Sequence, residues 1–220
     1  MASGRWGVLG VALVLLAVAS VAGAHADPGT ARAPNVDGGA VTGQQANASA
    51  NATNQSVRRT IRSCTTITKP GVYTLSKNLM NSVPPFISGS CIEVRSSDVV
   101  LDGAGHRVDG IGVSDTTGVV VAAKTTVRNV TVENLTLTDW NRGVYFRNVV
   151  GGTVRHVTSK HDSYGMSFEN TTDVAVRNNT AEKGIVGIYV ARPSHDNAFS
   201  NNSFEGNYLG GVVTSGTGSR

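Results

Sequence analysis

Residues 143–164, GVYFRNVVGGTVRHVTSKHDSY, and residues 165–186, GMSFENTTDVAVRNNTAEKGIV, are successive copies of one pattern. Each opens on a glycine, runs through a short alternating strand, bends at an asparagine and enters a second valine-rich strand. The same opening stands at Gly118 before VVV and at Gly187 before IYV, and a fifth begins at Gly210 before GVV. The steps between these glycines are 25, 22, 22 and 23 residues. Asn134, His156, Asn178 and Asn201 keep the same beat, 22, 22 and 23 apart. Columns that share a register mark an internal repeat, which outranks any local reading.

Inside a repeat the period is two. Val144, Tyr145, Phe146 and Arg147 alternate as a half-buried strand does. Val130–Val132, Leu135–Leu137 and Val174–Val176 are further short strands, rich in β-branched residues. No part of the repeat sustains a helical pattern. Three strands of about 3–5 residues with three turns consume about 22 residues, one turn of a parallel β-helix with rungs about 4.8 Å apart. The expected fold is all-β, a right-handed parallel β-helix (a solenoid) of about five coils, its hand following the preference of parallel crossovers.

The register sorts side chains by face. Val144 and Phe146, Met166 and Phe168, and Ile188 and Val190 are expected inside. Tyr145, Ser167 and Tyr189 then form an outward column beside Arg147, Glu169 and Ala191, with Trp140, Arg142 and Tyr164 in the preceding turns. Saccharide C–H faces pack on aromatic rings. Tyr145, Tyr189, Trp140, Tyr164, Arg147 and Glu169 are therefore the carbohydrate-binding candidates, although tyrosine is also simply a good exposed-strand residue. Glu169 with Arg147, and Glu133 with Arg155, are expected as ion pairs between adjacent coils.

Asp173 and Asp196 lie 23 residues apart on adjacent coils. Such a pair could bind Ca²⁺ or share a proton, and these two are the weak catalytic candidates. Aspartate before a strand is equally ordinary turn chemistry. Calcium needs six or more oxygens, and no third carboxylate joins the column. No metal or other cofactor is expected, because His156, His161 and His195 do not converge with Met80 or Met166 into a copper set. Turn hydrogen bonding, as an amide ladder, accounts for Asn134, Asn178 and Asn201, with His156 taking the same place.

The 220 residues suit one domain with appendages, and the net charge of +4 is scattered, which excludes a nucleic-acid binder. Arg5, an apolar run from Trp6 to Ala22, and Ala24-His25-Ala26 form a secretory signal peptide over residues 1–26. An uncleaved anchor is the alternative, and the sole expected route to a membrane. Residues 27–59 are a polar linker with little to bury, and carry N-x-S/T sequons at Asn47, Asn51 and Asn54 as glycosylation candidates. Residues 60–91 read as a cap over the open first coil, and 92–220 as the β-helix repeats. Cys64 and Cys91 are the only cysteines, and in an exported chain an even count favours a disulfide, here tying cap to first coil.

SCTTITKPGVYTLSKNL, followed by CIEVRSSDVVLDGAGHRVDG, is similar to the opening of exported archaeal right-handed parallel β-helix proteins. GMSFENTTDVAVRNNT and GIYVARPSHDNAFSNNSFEGN resemble NosD-like, or CASH, repeats of the pectate-lyase-like superfamily. That resemblance covers about residues 61–214 and implies the fold; its members include periplasmic copper-binding, surface-layer and sugar-processing proteins, so it does not by itself assign an activity. Polygalacturonase-like relatives use a Gly-His-Gly element, whereas this chain has Gly105-His106-Arg107. The expectation is an exported, extracellular or cell-surface protein without catalysis, binding carbohydrate or a glycosylated partner. A polysaccharide lyase or hydrolase is one alternative; a structural spacer or NosD-type metal-delivery accessory is the other.

Overall fold

Strands this short cannot bury their apolar face alone, so each pairs with its counterpart one repeat away. The computed structural model describes residues 58–80 and 89–215. The expected signal peptide, most of the expected linker and the sequons at Asn47, Asn51 and Asn54 lie outside these residues. In chain order the strands are β1 (Arg58–Ile61), β2 (Thr65–Ile67), β3 (Gly71–Leu75), β4 (Leu79–Met80), β5 (Gly89–Val94), β6 (Val99–Asp102), β7 (Arg107–Asp109) and β8 (Thr116–Val121). They continue as β9 (Val127–Thr138), β10 (Arg142–Lys160), β11 (Tyr164–Arg177), β12 (Thr180–Glu182), β13 (Val186–Ala191), β14 (Ala198–Ser200), β15 (Ser203–Glu205) and β16 (Gly210–Thr214). All belong to one sheet whose pairings are parallel, and it winds into a β-solenoid of about six turns.

The turn beyond the expected five comes from the segment read as a cap. β2, β3 and β4 pair in parallel with β5, β6 and β7, so these strands of the expected cap form a rung of the stack. Pro70-Gly71 does not close a hairpin; Gly71 hydrogen-bonds through its N–H to the Asp98 carbonyl on the next coil. The expected linker also gives up its last residues. Arg58 and Arg59 are in β1, paired with Val72 and Tyr73, and the Arg59 guanidinium lies over the Tyr73 ring and donates to the Pro70 carbonyl.

The interior is a set of columns. Val119, Val144, Met166 and Ile188 are successive partners on one face, and so are Val121, Phe146, Phe168 and Val190. The Phe146 and Phe168 rings meet edge to face, 5.7 Å between centroids. On the second face Leu101, Val132, Val154, Val176 and Phe199 stack; on the third, Val108, Leu137, Ser159, Ala181 and Phe204 do. Each fully buried Val, Leu, Ile or Phe contributes about 1.5–3 kcal/mol of burial free energy.

Left-handed residues make the corners. Asn129, Gly151, Asp173 and Asp196 have φ between 53° and 64°, as do Asn134, His156, Asn178 and Asn201 between 52° and 56°. A third column, Asp139, His161, Lys183 and Gly206, has φ between 56° and 63°. Glycine, asparagine and aspartate tolerate this region best, which explains why the repeat keeps them. The amide ladder sits one residue later than expected. Asn179 Oδ1 accepts from the Val157 N–H, Asn202 Oδ1 accepts from the Asn179 N–H, and their Nδ2 groups donate to the Val154 and Val176 carbonyls. Asn178 and Asn201 bend the chain so that the following amide points inward.

The last rung is also displaced by one residue. Val186 pairs with Gly210 and Ile188 with Val212, so Gly211, rather than Gly210, lies opposite Gly187. A slip of one would exchange the two faces of the strand. The glycine repeats because the rungs approach closely there, and the second glycine of Gly210-Gly211 meets that need.

Cys64 and Cys91 form a disulfide between the loop before β2 and the strand β5 on the next coil. With 27 residues of separation it restricts the unfolded chain. Replacing both by serine is expected to cost about 2–3 kcal/mol, read as a lower urea midpoint with an unchanged m-value.

Candidate functional site

Strand pairing places Tyr145, Ser167 and Tyr189 in one outward column on β10, β11 and β13. Tyr164, which opens β11, leans over the same place and meets Tyr189 edge to face at 5.5 Å. Because the middle position of the column is a serine, the tyrosines on either side leave a gap. That gap is a pocket of about 170 Å³ lined by Arg142, Tyr145, Tyr164, Ser167, Glu169 and Tyr189 among others.

The polar groups are placed by the same register. Arg142 stacks its guanidinium over Tyr145 at 5.0 Å and over Tyr164 at 5.9 Å. The Tyr145 hydroxyl donates to the Glu169 carboxylate, one rung away. Burial, then that carboxylate, pushes the Tyr145 phenol up to about 12, so it stays a hydroxyl at any physiological pH. Ser167 is 2% exposed, and its Oγ is the buried side-chain polar atom without a hydrogen-bond partner among the described residues. An orphaned buried hydroxyl costs about 1–3 kcal/mol, so a polar group of a ligand would find it unsatisfied.

The expected binding residues divide. Tyr145, Tyr164, Tyr189 and Glu169 come together. Trp140 does not join them: it is 1% exposed, inside the core, with its indole N–H donating to the Val108 carbonyl. Its turn points inward because the left-handed Asp139 before it reverses the alternation. Arg147 sits opposite Glu169 in register, but Glu169 is engaged by Tyr145, and Arg147 lies instead in a separate groove with Glu93, Arg95 and Lys124. The other expected pair, Arg155 with Glu133, is formed. Ser167 and Arg142 had been read as a strand neighbour and a turn residue. The signal for Ser167 was a small residue between two tyrosines one period away on either side.

Asp173 and Asp196 follow the bridged pair Thr172 and His195, as the register required. Both are exposed, left-handed corner residues; Asp196 accepts from or pairs with His195 Nδ1 at 2.9 Å. The buried acid is a different one. Asp162 accepts the Trp140 N–H at 2.7 Å on Oδ1, and its Oδ2 lies 2.5 Å from the Ser159 hydroxyl. Its corner is the one that Asn207 fills two rungs on, where Oδ1 accepts from the Gly184 N–H and Nδ2 donates to the Ala181 carbonyl. A carboxylate in an amide's place has no donor to offer, and burial raises the pKa of Asp162 to about 7.

Among the described residues no three or more His, Cys, Asp or Glu side chains converge as metal ligands. Both cysteine sulfurs are committed to the disulfide. Met166 is buried in the core and Met80 is exposed at the far end of the stack.

No curated protein and no solved structure matches the chain. Residues 90–219 match a protein-family model described as periplasmic copper-binding protein (NosD). The described side chains do not fit a copper ion, since soft or imidazole donors are not brought together. The disulfide accords with the exported compartment that this description names. The match spans more than half of the sequence and all but the first rungs of the solenoid, and the chain belongs to the NosD family.

Proposed function

We propose that this exported β-solenoid is a non-catalytic surface protein that binds carbohydrate, or a glycosylated partner, in the tyrosine pocket. The observation that carries this reading is the gap at Ser167, walled by Tyr145, Tyr164 and Tyr189 and edged by Arg142 and Glu169. Three phenol rings supply faces for sugar C–H groups, while the guanidinium and carboxylate supply donors and acceptors for hydroxyls. The pocket is carried on strands rather than loops, so the backbone needs little ordering on binding.

A glycan array followed by calorimetry tests it. Retained glycans are expected to bind Tyr145→Ala and Tyr189→Ala about 10-fold more weakly each, about 1.4 kcal/mol per ring. Absence of any retained glycan, or affinity untouched by both substitutions, refutes the proposal. Cleavage of a polysaccharide that is lost in Asp173→Asn would favour the lyase or hydrolase reading instead.

A further inference from the structure

Arg142 is a half-buried residue that lines the tyrosine pocket. It rests on the Tyr145 and Tyr164 rings, and no hydrogen bond or ion pair engages it among the described residues. The carboxylate that lines the same pocket, Glu169, accepts the Tyr145 hydroxyl. A planar fork of donors held over aromatic rings recognises a planar, two-oxygen anion. A cationic occupant is disfavoured, because Arg142 already brings a positive charge to the pocket.

Size narrows the ligand further. A volume of about 170 Å³ is below the ~300–1,000 Å³ of pockets that hold drug-sized molecules. One ring fits; a stretch of polymer does not. Ser167 also lines the pocket, and its buried hydroxyl has no hydrogen-bond partner among the described residues. A ligand reaches it by shifting a neighbouring side chain, and then completes its hydrogen bonding.

We infer that the occupant is a single sugar ring bearing a carboxylate, with the carboxylate on Arg142 and a ring hydroxyl on Ser167 Oγ. This rests on the carbohydrate reading and assigns its substrate class: a sugar acid, free or at the end of a glycan. Glu169, which lines the same pocket, accepts a further ring hydroxyl.

The test uses the full chain and matched methyl glycosides: glucuronate, galacturonate and mannuronate, each against its neutral hexose. At least one acidic member is expected to bind 10-fold or more tightly than its neutral mate, with an advantage that falls as salt is raised. Arg142→Gln should abolish that advantage, and Arg142→Lys, which keeps charge without the fork, should retain part of it. Ser167→Ala should weaken acidic and neutral probes alike by about 5–10-fold while raising the melting temperature by about 2–4 °C, since the orphaned hydroxyl is gone. Equal binding within every pair overturns the sugar-acid inference and leaves the carbohydrate reading standing. Affinity unchanged in Ser167→Ala removes the hydroxyl contact. Binding of no probe overturns both. A uronate-terminated oligosaccharide, run beside the methyl glycosides, tells a glycan end from a free ring by which binds more tightly.

Discussion

At pH 8 the Asp162→Asn protein is expected to unfold on the order of 10 °C above the wild type, and at pH 4 the two are expected to unfold together. Burial raises the Asp162 carboxyl from its ordinary 3.8 to about 7, against the opposing hydrogen bonds from Ser159 and the Trp140 N–H. Below about pH 4 the acid is neutral in both folded and unfolded chains and burial carries no ionic cost. Between about pH 4 and 7 the unfolded chain gives up the proton while the folded chain keeps it. Stability then falls as pH rises, by about 1.4 kcal/mol per pH unit and about 4 kcal/mol in all. Above about pH 7 the folded acid ionises too and the loss levels off. Asparagine keeps the bond to Trp140, gains the donor that Asn207 uses two rungs later, and has nothing to ionise. Asp162→Ala, by contrast, leaves the Trp140 N–H without its acceptor and is expected to be destabilised at both pH values. Thermal melts of the three proteins across pH 4–8 read the difference. Parallel pH profiles for wild type and Asp162→Asn would show that the acid is not the source.

Gly165→Ala is expected to lose more than about 3 kcal/mol, beyond the usual range for overpacking, and Gly151→Asn to lose almost nothing. The two glycines look alike in sequence but answer different needs. A Cβ on Gly165 would stand 2.6 Å from the Gly187 carbonyl oxygen, 2.9 Å from the Ala181 Cβ and 3.0 Å from the Ser159 Oγ. The nearest of these is backbone, held in place by the ladder, so the rungs would have to part. Gly151 has open space around it and a φ of 64°. Its column is filled by Asn129 and Asp173 on the neighbouring coils, so asparagine is already accommodated there. Chemical denaturation of both variants checks the contrast, and equal losses would mean that rung spacing does not set the glycine column.

The chain's own spacing carried most of the architecture. A period of about 22 residues with a strand period of two places Val144 over Met166 and Ile188, and no compact packing other than stacked parallel rungs satisfies both. The left-handed corners were legible as well, because asparagine, aspartate and glycine are the residues for which that conformation is least costly. Register likewise set Tyr145, Ser167 and Tyr189 in one column. What only the tertiary structure decided was direction at the corners and depth. A repeat says which residues share a column, but a left-handed residue turns the next side chain inward or outward. So Trp140 went to the core, Asn179 and Asn202 took the ladder in place of Asn178 and Asn201, and Asp162 was sealed where an amide would have served. The pocket belongs to the same class of result: it is the space left where Tyr164, at the head of β11, stands beside the serine between two tyrosines, and empty space has no residue to announce it.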